Sequence, residues 1–325
     1  MTPAGFITER IVIHTRMSIS EPIAVGVKVF KRTEKLANLL NSLRDEPVTC
    51  VYIADDGHTE ERRDLYRKEY PFELNILDLE FDAGLGVGRR RVVEALDEPY
   101  LLFLDSDHTV VDLAPLYEVL TADDSLGGVA GLLYKTNGEI QANAHDLFET
   151  RDGDVLIRDI RGQHTVDRVG GHSLFRFDYV PNAGLYRREC LKEYAWDPAY
   201  VIGKDHLDFY LGHKRRTDWE FGICPEVLFG HDPGGSDSYL LDRLDTRKTW
   251  ASKEYFLEKW DYDQIVTRRH WSAISDDEQS LGRLVQRTAN RLGVGDIPLA
   301  TQRRLIDLHD IGMRAKADLY EYLAV

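Results

Sequence analysis

The stretch that most limits what this chain can become is Pro99-Tyr100-Leu101-Leu102-Phe103-Leu104-Asp105-Ser106-Asp107-His108. Tyr100 to Leu104 is a continuous apolar run, the pattern of a strand covered on both faces in a parallel sheet. The run stops at Asp105. Two acids separated by one small residue, at the carboxyl end of a central strand, sit where open α/β sheets bind ligands. Asp is short and Ser106 is small, so both carboxylates can approach one point beyond the sheet edge. Paired hard oxygen ligands suit Mg²⁺ or Mn²⁺, and such ions commonly hold substrate phosphates. The plainer alternative is that Asp105 and Asp107 merely open a turn and cap the helix near Asp112. The flanking segments decide between the two.

Upstream, Ile23 to Phe30 is a strand rich in β-branched residues, and Phe6 to His14 alternates as an added strand. Glu34 to Leu43 carries leucines at 36, 39, 40 and 43, a helical stripe with Thr33 as its expected N-cap. Val48 to Ala54 is a second strand ending in Asp55-Asp56-Gly57; Glu60 to Tyr70 reads as a polar helix and Leu74 to Leu79 as a third strand. The glycine-rich loop Gly84-x-Gly-x-Gly leads into a helix from Arg89 to Leu96, and Tyr100 to Leu104 is the fourth strand. Strands alternating with helices in this way predict a doubly wound sheet with right-handed crossovers. The glycine loop lacks the spacing of a dinucleotide fingerprint, and no strand ends immediately before it, which argues against a dehydrogenase.

Downstream, Gly127 to Tyr134 is another strand, and short alternating runs between Thr136 and Val180 predict an antiparallel addition. Asp205 and Asp208 lie three apart in the first turn of a helix that continues through Leu211, hence on one face. A final strand, Ile223 to Phe229, stops at Gly230-His231. Tyr239 to Trp260 and Tyr262 to Val325 read as helical, with Leu281 to Leu292 and Leu299 to Leu323 as the main segments.

The motif order Asp55-Asp56-Gly57, Gly84-x-Gly-x-Gly-Arg89, Asp105-Ser106-Asp107 resembles the GT-A fold of glycosyltransferases, particularly the inverting family 2. The similarity is clear over Ile23 to Asp112 and weaker to His231. The run His206-Leu207-Asp208-Phe209 also resembles the His-Leu-Glu-Phe of β1,4-N-acetylgalactosaminyltransferases, and Asn182 after Tyr179-Val180-Pro181 resembles the segment before it. The resemblance implies that Phe30 and Lys31 touch the nucleotide base and that Asp55 or Asp56 accepts from uracil N3–H. It implies that Arg89 approaches the nucleotide, that Asp105 contacts ribose or metal, and that Asp107 and His231 ligate the ion, Mn²⁺ or Mg²⁺. The chain departs from the family at Lys31-Arg32, where Asn-Arg is usual, and at Arg89-Arg90-Arg91, where Ala-Arg-Asn is usual. Asp205 and Asp208 stand near the family's Glu-Asp pair as candidate bases for the acceptor hydroxyl, with His206 as a third. First-turn acids against the helix dipole are the structural alternative.

The expected architecture is therefore α/β: a GT-A, Rossmann-like, mostly parallel central sheet with helices on both faces. A small antiparallel addition and a helical C-terminal extension complete it. Residues 1–235 form the catalytic domain, with a nucleotide-sugar half (1–112) and an acceptor half (113–235), and residues 236–325 form the extension. The expected activity is inverting, metal-dependent transfer from a nucleotide-sugar, UDP-linked by preference, to a hydroxyl of a glycan or lipid-linked acceptor. A nucleotidyltransferase would need a basic residue in a glycine-rich loop after the first strand, and Lys31-Arg32-Thr33 has no glycine. A non-catalytic carbohydrate-binding protein on the same fold is the alternative from another class. The formal charge of −15 makes nucleic acid an improbable partner. The bases are 12 Lys and 29 Arg, and excess acid with few lysines resembles adaptation to a salt-rich cytoplasm. Cys50, Cys190 and Cys224 are isolated, which predicts a reduced compartment and no zinc site. No window approaches bilayer length, so the expected location is cytoplasmic, with peripheral membrane contact if the acceptor is lipid-linked.

Overall fold

The computed structural model describes residues 19–162, 164–243, 245–268 and 298–323. The expected strand Phe6 to His14 and helix Leu281 to Leu292 lie outside the described residues. The first half runs β1 (Ile23–Val29), α1 (Thr33–Ser42), β2 (Cys50–Asp55), α2 (Glu60–Tyr66), β3 (Glu73–Asp78), α3 (Leu85–Ala95), β4 (Tyr100–Asp105). There follow β5 (His108–Thr109), α4 (Ala114–Ala122), β6 (Leu126–Lys135), β7 (Ile140–Gln141), β8 (Asp146–Glu149), β9 (Val155–Asp159), β10 (Asp167–Val169) and β11 (His172–Arg176). The chain continues with β12 (Gly184–Arg187), α5 (Arg188–Glu193), α6 (Asp205–Arg216), β13 (Glu220–His231), α7 (Asp237–Arg243), α8 (Thr246–Trp260), β14 (Gln264–Thr267) and α9 (Leu299–Leu323).

The main sheet has the order β10-β11-β13-β6-β12-β4-β1-β2-β3, with β5 and β7 paired to β13 and β6. β3, β2, β1 and β4 are mutually parallel, as the sequence predicts. β12 then inserts antiparallel between β4 and β6, so the sheet is mixed rather than purely parallel. Alternation within each strand divides the core. Val25, Val27, Leu102 and Leu104 pack with α1 and α4 on one face; Leu101 and Phe103 pack with residues of α3, α6 and α8 on the other. Burying each such side chain contributes about 1.5–3 kcal/mol, which is why the apolar runs are uninterrupted.

Register carries the functional information. Val29 stands opposite Asp55 and Lys28 opposite Asp105, so the carboxyl ends of β1, β2 and β4 form one ledge. Gly184 pairs with Phe103 antiparallel, which brings Asn182 beside Asp105. β5 pairs with β13 so that His108 faces His231.

Four local expectations differ from what forms. Thr33 is the first helical residue rather than the cap; Arg32 takes the cap position without a side-chain bond, and Thr33 Oγ1 meets Thr59 Oγ1 at 2.9 Å. The glycine loop is itself helical: α3 begins at Leu85, after Gly84 with a left-handed φ of +101°. A Cβ on Gly86 would lie 2.1 Å from the Asp197 carbonyl oxygen, so Gly84 and Gly86 serve close packing of α3 on the 197–201 loop. The predicted helix from Tyr239 to Trp260 divides into α7 and α8. Gln264–Thr267 is a strand, not a helix, because Ile265 and Val266 extend along β9 in a second sheet, β14-β9-β8. α9 then packs on α8 and β14. Among the described residues no helix is long and apolar enough to cross a membrane. All three cysteines are buried and unpaired with one another.

Candidate active site

The ledge opens into a cleft of about 480 Å³. It is lined on one side by Phe30, Arg32, Asp105 and Asp107, and on the other by Asp205 and His206. Asp105 Oδ1 accepts from Arg89 Nη2 at 3.1 Å and Oδ2 from Asn182 Nδ2 at 2.7 Å. Burial pushes its carboxyl up, but the Arg89 guanidinium, with the Asn182 amide, holds it well below the usual carboxylate range. Asp107 is differently placed. Its Oδ2 meets Arg32 Nη1 at 2.5 Å, while Oδ1 is buried with no partner among the described residues. His231 Nε2 lies 3.7 Å from the same Oδ2, and its Nδ1 is also buried without a partner.

One potential ligand atom each from Asp107, His108 and His231 lies within 4.8 Å of the others. A carboxylate and two imidazoles, with Asp107 Oδ1 and His231 Nδ1 unpartnered among the described residues, fit a divalent ion, and burial lowers the affinity of His108 for a proton, leaving it neutral as a ligand must be. Asp105 is not part of this cluster; both its oxygens are taken by Arg89 and Asn182. His108 was not anticipated from the sequence. Its only signal is adjacency to the acid pair, and the β5–β13 bridge that turns it toward His231 involves just two residues of β5.

On the far wall, Arg89 is 1% exposed and lies over Phe103 and Trp196, 5.5 and 5.9 Å from their ring centres. Its second terminal nitrogen pairs with Asp205 Oδ2. Arg89 therefore bridges the acid at the end of β4 to the acid at the start of α6. Asp205 lines the cleft, and its Oδ1 has no hydrogen bond among the described residues. His206 Nδ1 accepts from Trp196 Nε1 at 3.3 Å, which leaves the neutral ring's proton on Nε2, a buried donor without a partner. Burial beside Arg89 keeps this ring neutral, so it offers a hydrogen bond rather than a base.

Asp208 is not brought to the cleft. Fully buried, it accepts from Tyr194 Oη at 2.9 Å, Tyr200 Oη at 3.0 Å and Trp260 Nε1 at 2.8 Å, and pairs with Lys259 Nζ at 2.7 Å. It ties α6 to α8. Asp55 is likewise turned inward, held by Arg62, Tyr66 Oη at 2.7 Å and the Gly57 amide at 3.0 Å. Asp56 contacts Lys28 Nζ at 2.8 Å and the Gly84 amide at 3.2 Å, and its Oδ1 is buried without a partner. Burial pushes the Asp56 carboxyl up and the Lys28 ammonium down despite their contact. Phe30 meets Phe81 at 5.3 Å, and Phe81 is 57% exposed, an aromatic pair the sequence reading did not assemble. Lys31 lies 5.0 Å from the Phe30 ring centre and bonds Asp242 of α7 at 2.7 Å.

Residues 24–183 match the model of glycosyl transferase family 2. No curated protein matches the sequence. Among solved structures, GalNAc-T7, determined with UDP, GalNAc and Mn²⁺, superposes with a TM-score of 0.50 at 13% identity, over 75% of this chain and 55% of that one. Staphylococcus aureus TarS 1–349 in complex with UDP-GlcNAc gives 0.47 at 14% identity, over 74% of this chain and 67% of that one. The chain thus spans about half the length of the GalNAc-T7 chain. The match to the family 2 model covers just under half of the chain, and the mixed sheet is similar to the GT-A fold of the GalNAc-T7 structure.

Proposed function

We propose that the enzyme transfers a sugar, with inversion, from a UDP-sugar to a hydroxyl of a glycan or lipid-linked acceptor. The observation that carries this reading is the convergence on one cleft of Asp107 and His231, which cluster with His108, and of Asp205, which Arg89 bridges to Asp105. Asp107, His108 and His231 would hold the divalent ion, and the two imidazoles favour Mn²⁺ over Mg²⁺. Bound there, the ion would neutralise the diphosphate and ease its departure. Phe30 and Phe81 offer faces for the base, and Asp56 offers an oxygen for its N–H. Asp105, fixed by Arg89 and Asn182, is set for the ribose.

Asp205 Oδ1 takes the acceptor proton as the hydroxyl oxygen bonds to the anomeric carbon and the bond from that carbon to the diphosphate breaks; the nucleotide diphosphate leaves with the electron pair. Arg89 orients Asp205, and Asp208 supports α6 from beneath without touching substrate.

The test is calorimetric titration of UDP and GDP, with and without Mn²⁺, on the wild type and Asp107→Ala. UDP binding that requires Mn²⁺ and disappears in Asp107→Ala, while the circular dichroism spectrum stays native, is the expected result. Metal-independent binding, or unchanged turnover in the variant, would sink the assignment. Preference for GDP would retain the enzyme class and change the donor.

A further inference from the structure

Three of the cations that line the cleft are neutralised within it, and Arg243, at the end of α7, is exposed at its rim. Lys28 meets Asp56, Arg32 meets Asp107, and Arg89 meets both Asp105 and Asp205. Arg158 and Lys204 are different. Both line the same cleft, and neither has a carboxylate partner among the described residues. In a chain of formal charge −15, two uncompensated cations in one cleft call for an anion to complete them.

Their setting is built rather than incidental. Arg158 projects from β9; its Nε donates to His145 Nε2 at 2.8 Å, and its guanidinium lies 5.2 Å from the ring centre of Tyr179, which stacks on His145. The plane is thereby fixed, and the two terminal nitrogens carry no hydrogen bond among the described residues. A fixed guanidinium fork matches the two oxygens of a carboxylate or phosphate. Lys204 immediately precedes Asp205 and has a left-handed φ of +64°, a conformation non-glycine residues rarely adopt and one that recurs at ligand clamps. The charges bearing on its ammonium are Arg158, Lys253 and Asp310, and the last two pair with each other. Neither Arg158 nor Lys204 belongs to the Asp107-His108-His231 cluster.

Resting on the transfer reading above, we propose that Arg158 and Lys204 form an anion subsite on the acceptor side of the cleft. The acceptor sugar would then carry a carboxylate or phosphate close to the hydroxyl that Asp205 deprotonates. The adjacency of Lys204 to Asp205 sets this spacing: the amine that reads the anion and the carboxylate that takes the proton are neighbours in the chain.

The test uses the full chain, with and without UDP and Mn²⁺, and three probes: methyl glucuronide, glucose 6-phosphate and methyl glucoside. Binding is followed by calorimetry and saturation-transfer NMR. One or both charged probes should bind at least about tenfold more tightly than the neutral one, the worth of one charge-assisted hydrogen bond. Lys204→Met and Arg158→Gln should each remove most of that difference, and Lys204→Arg should restore it. Comparison of the two charged probes separates a uronate-like from a phosphate-bearing acceptor. Burial beside Arg158 brings the Lys204 ammonium down to about 8, so the preference should weaken as pH rises through that value and persist in Lys204→Arg. Equal binding of all three probes, or no binding of either charged one, overturns the proposal. So does a matching loss of UDP affinity in the two variants, which would assign the cations to the donor diphosphate. Absence of UDP binding in the wild type would count against the transfer reading alone, because the probes are also titrated without it.

Discussion

At the scale of single residues, the cleft separates carboxylates by what they are bonded to. Asp55 and Asp208 have donors on every side; Asp107 and Asp205 each keep an oxygen without a partner among the described residues. A carboxylate whose lone pairs are all occupied can neither ligate an ion nor take a proton, so of these four only Asp107 and Asp205 are suited to either role. Asp205→Asn keeps the shape and a hydrogen bond to Arg89 through its remaining carbonyl oxygen, but removes the proton acceptor. Transfer should fall by about 10²–10⁴-fold, the usual span for loss of a general base, with Mn²⁺-dependent UDP affinity little changed. Single-turnover transfer alongside UDP calorimetry measures both. Loss of UDP binding together with transfer would instead make Asp205 part of the donor site.

At the scale of elements, Asp208 is where α6 meets the C-terminal part of the chain. Two of its partners, Lys259 and Trp260, belong to α8, and Tyr194 and Tyr200 come from the segment before α6. Lys259 also pairs with Asp197 at 2.6 Å, so one buried cluster pins α8 to α6. Removing a charge from such a buried cluster costs about 3–5 kcal/mol, here because three donors lose their acceptor while Lys259 keeps Asp197. Asp208→Ala should lower unfolding free energy by about that amount in urea titrations, and Asp208→Asn by less. A change below about 0.5 kcal/mol would show that α8 is held by apolar packing alone. Asp208 also marks how far these elements were legible in the sequence. The parallel strands and the Asp105–Asp107 ledge could be read because an apolar run ending in acids has few other folds. Asp205 and Asp208 could be placed on one helix turn, but their different fates depend on Trp260, fifty-two residues away. Asp55 was misleading for the same reason: Arg62, seven residues on, draws it inward, and no local pattern signals that. β14 escaped because a four-residue strand needs its partner β9, more than a hundred residues earlier, to exist at all.

At the scale of the whole molecule, the formal charge of −15 must be reconciled with a stable core. Some of the acid is buried in pairs such as Arg62–Asp55 and Arg89–Asp205, which bulk salt screens little. Much of the rest is at the surface, where like charges repel and weak ion pairs such as Arg67–Asp64 or Arg63–Glu60 offset the repulsion only in part. Salt weakens both terms, so its net effect has the sign of the larger. An exposed pair contributes about 0–1 kcal/mol, whereas repulsion sums over all the excess acids, and repulsion should win. The melting temperature should therefore rise with KCl, by about 2–4 °C for each kcal/mol of repulsion relieved. The shape of the rise identifies its cause. Screening is nearly complete once the Debye length has fallen from about 30 Å at 0.01 M to about 3 Å at 1 M. Stronger burial through exclusion of salt from the surface keeps growing beyond that. A rise concentrated below about 1 M KCl fits charge repulsion, a straight line to higher salt fits exclusion alone, and a fall would mean that the surface pairs outweigh the excess acid.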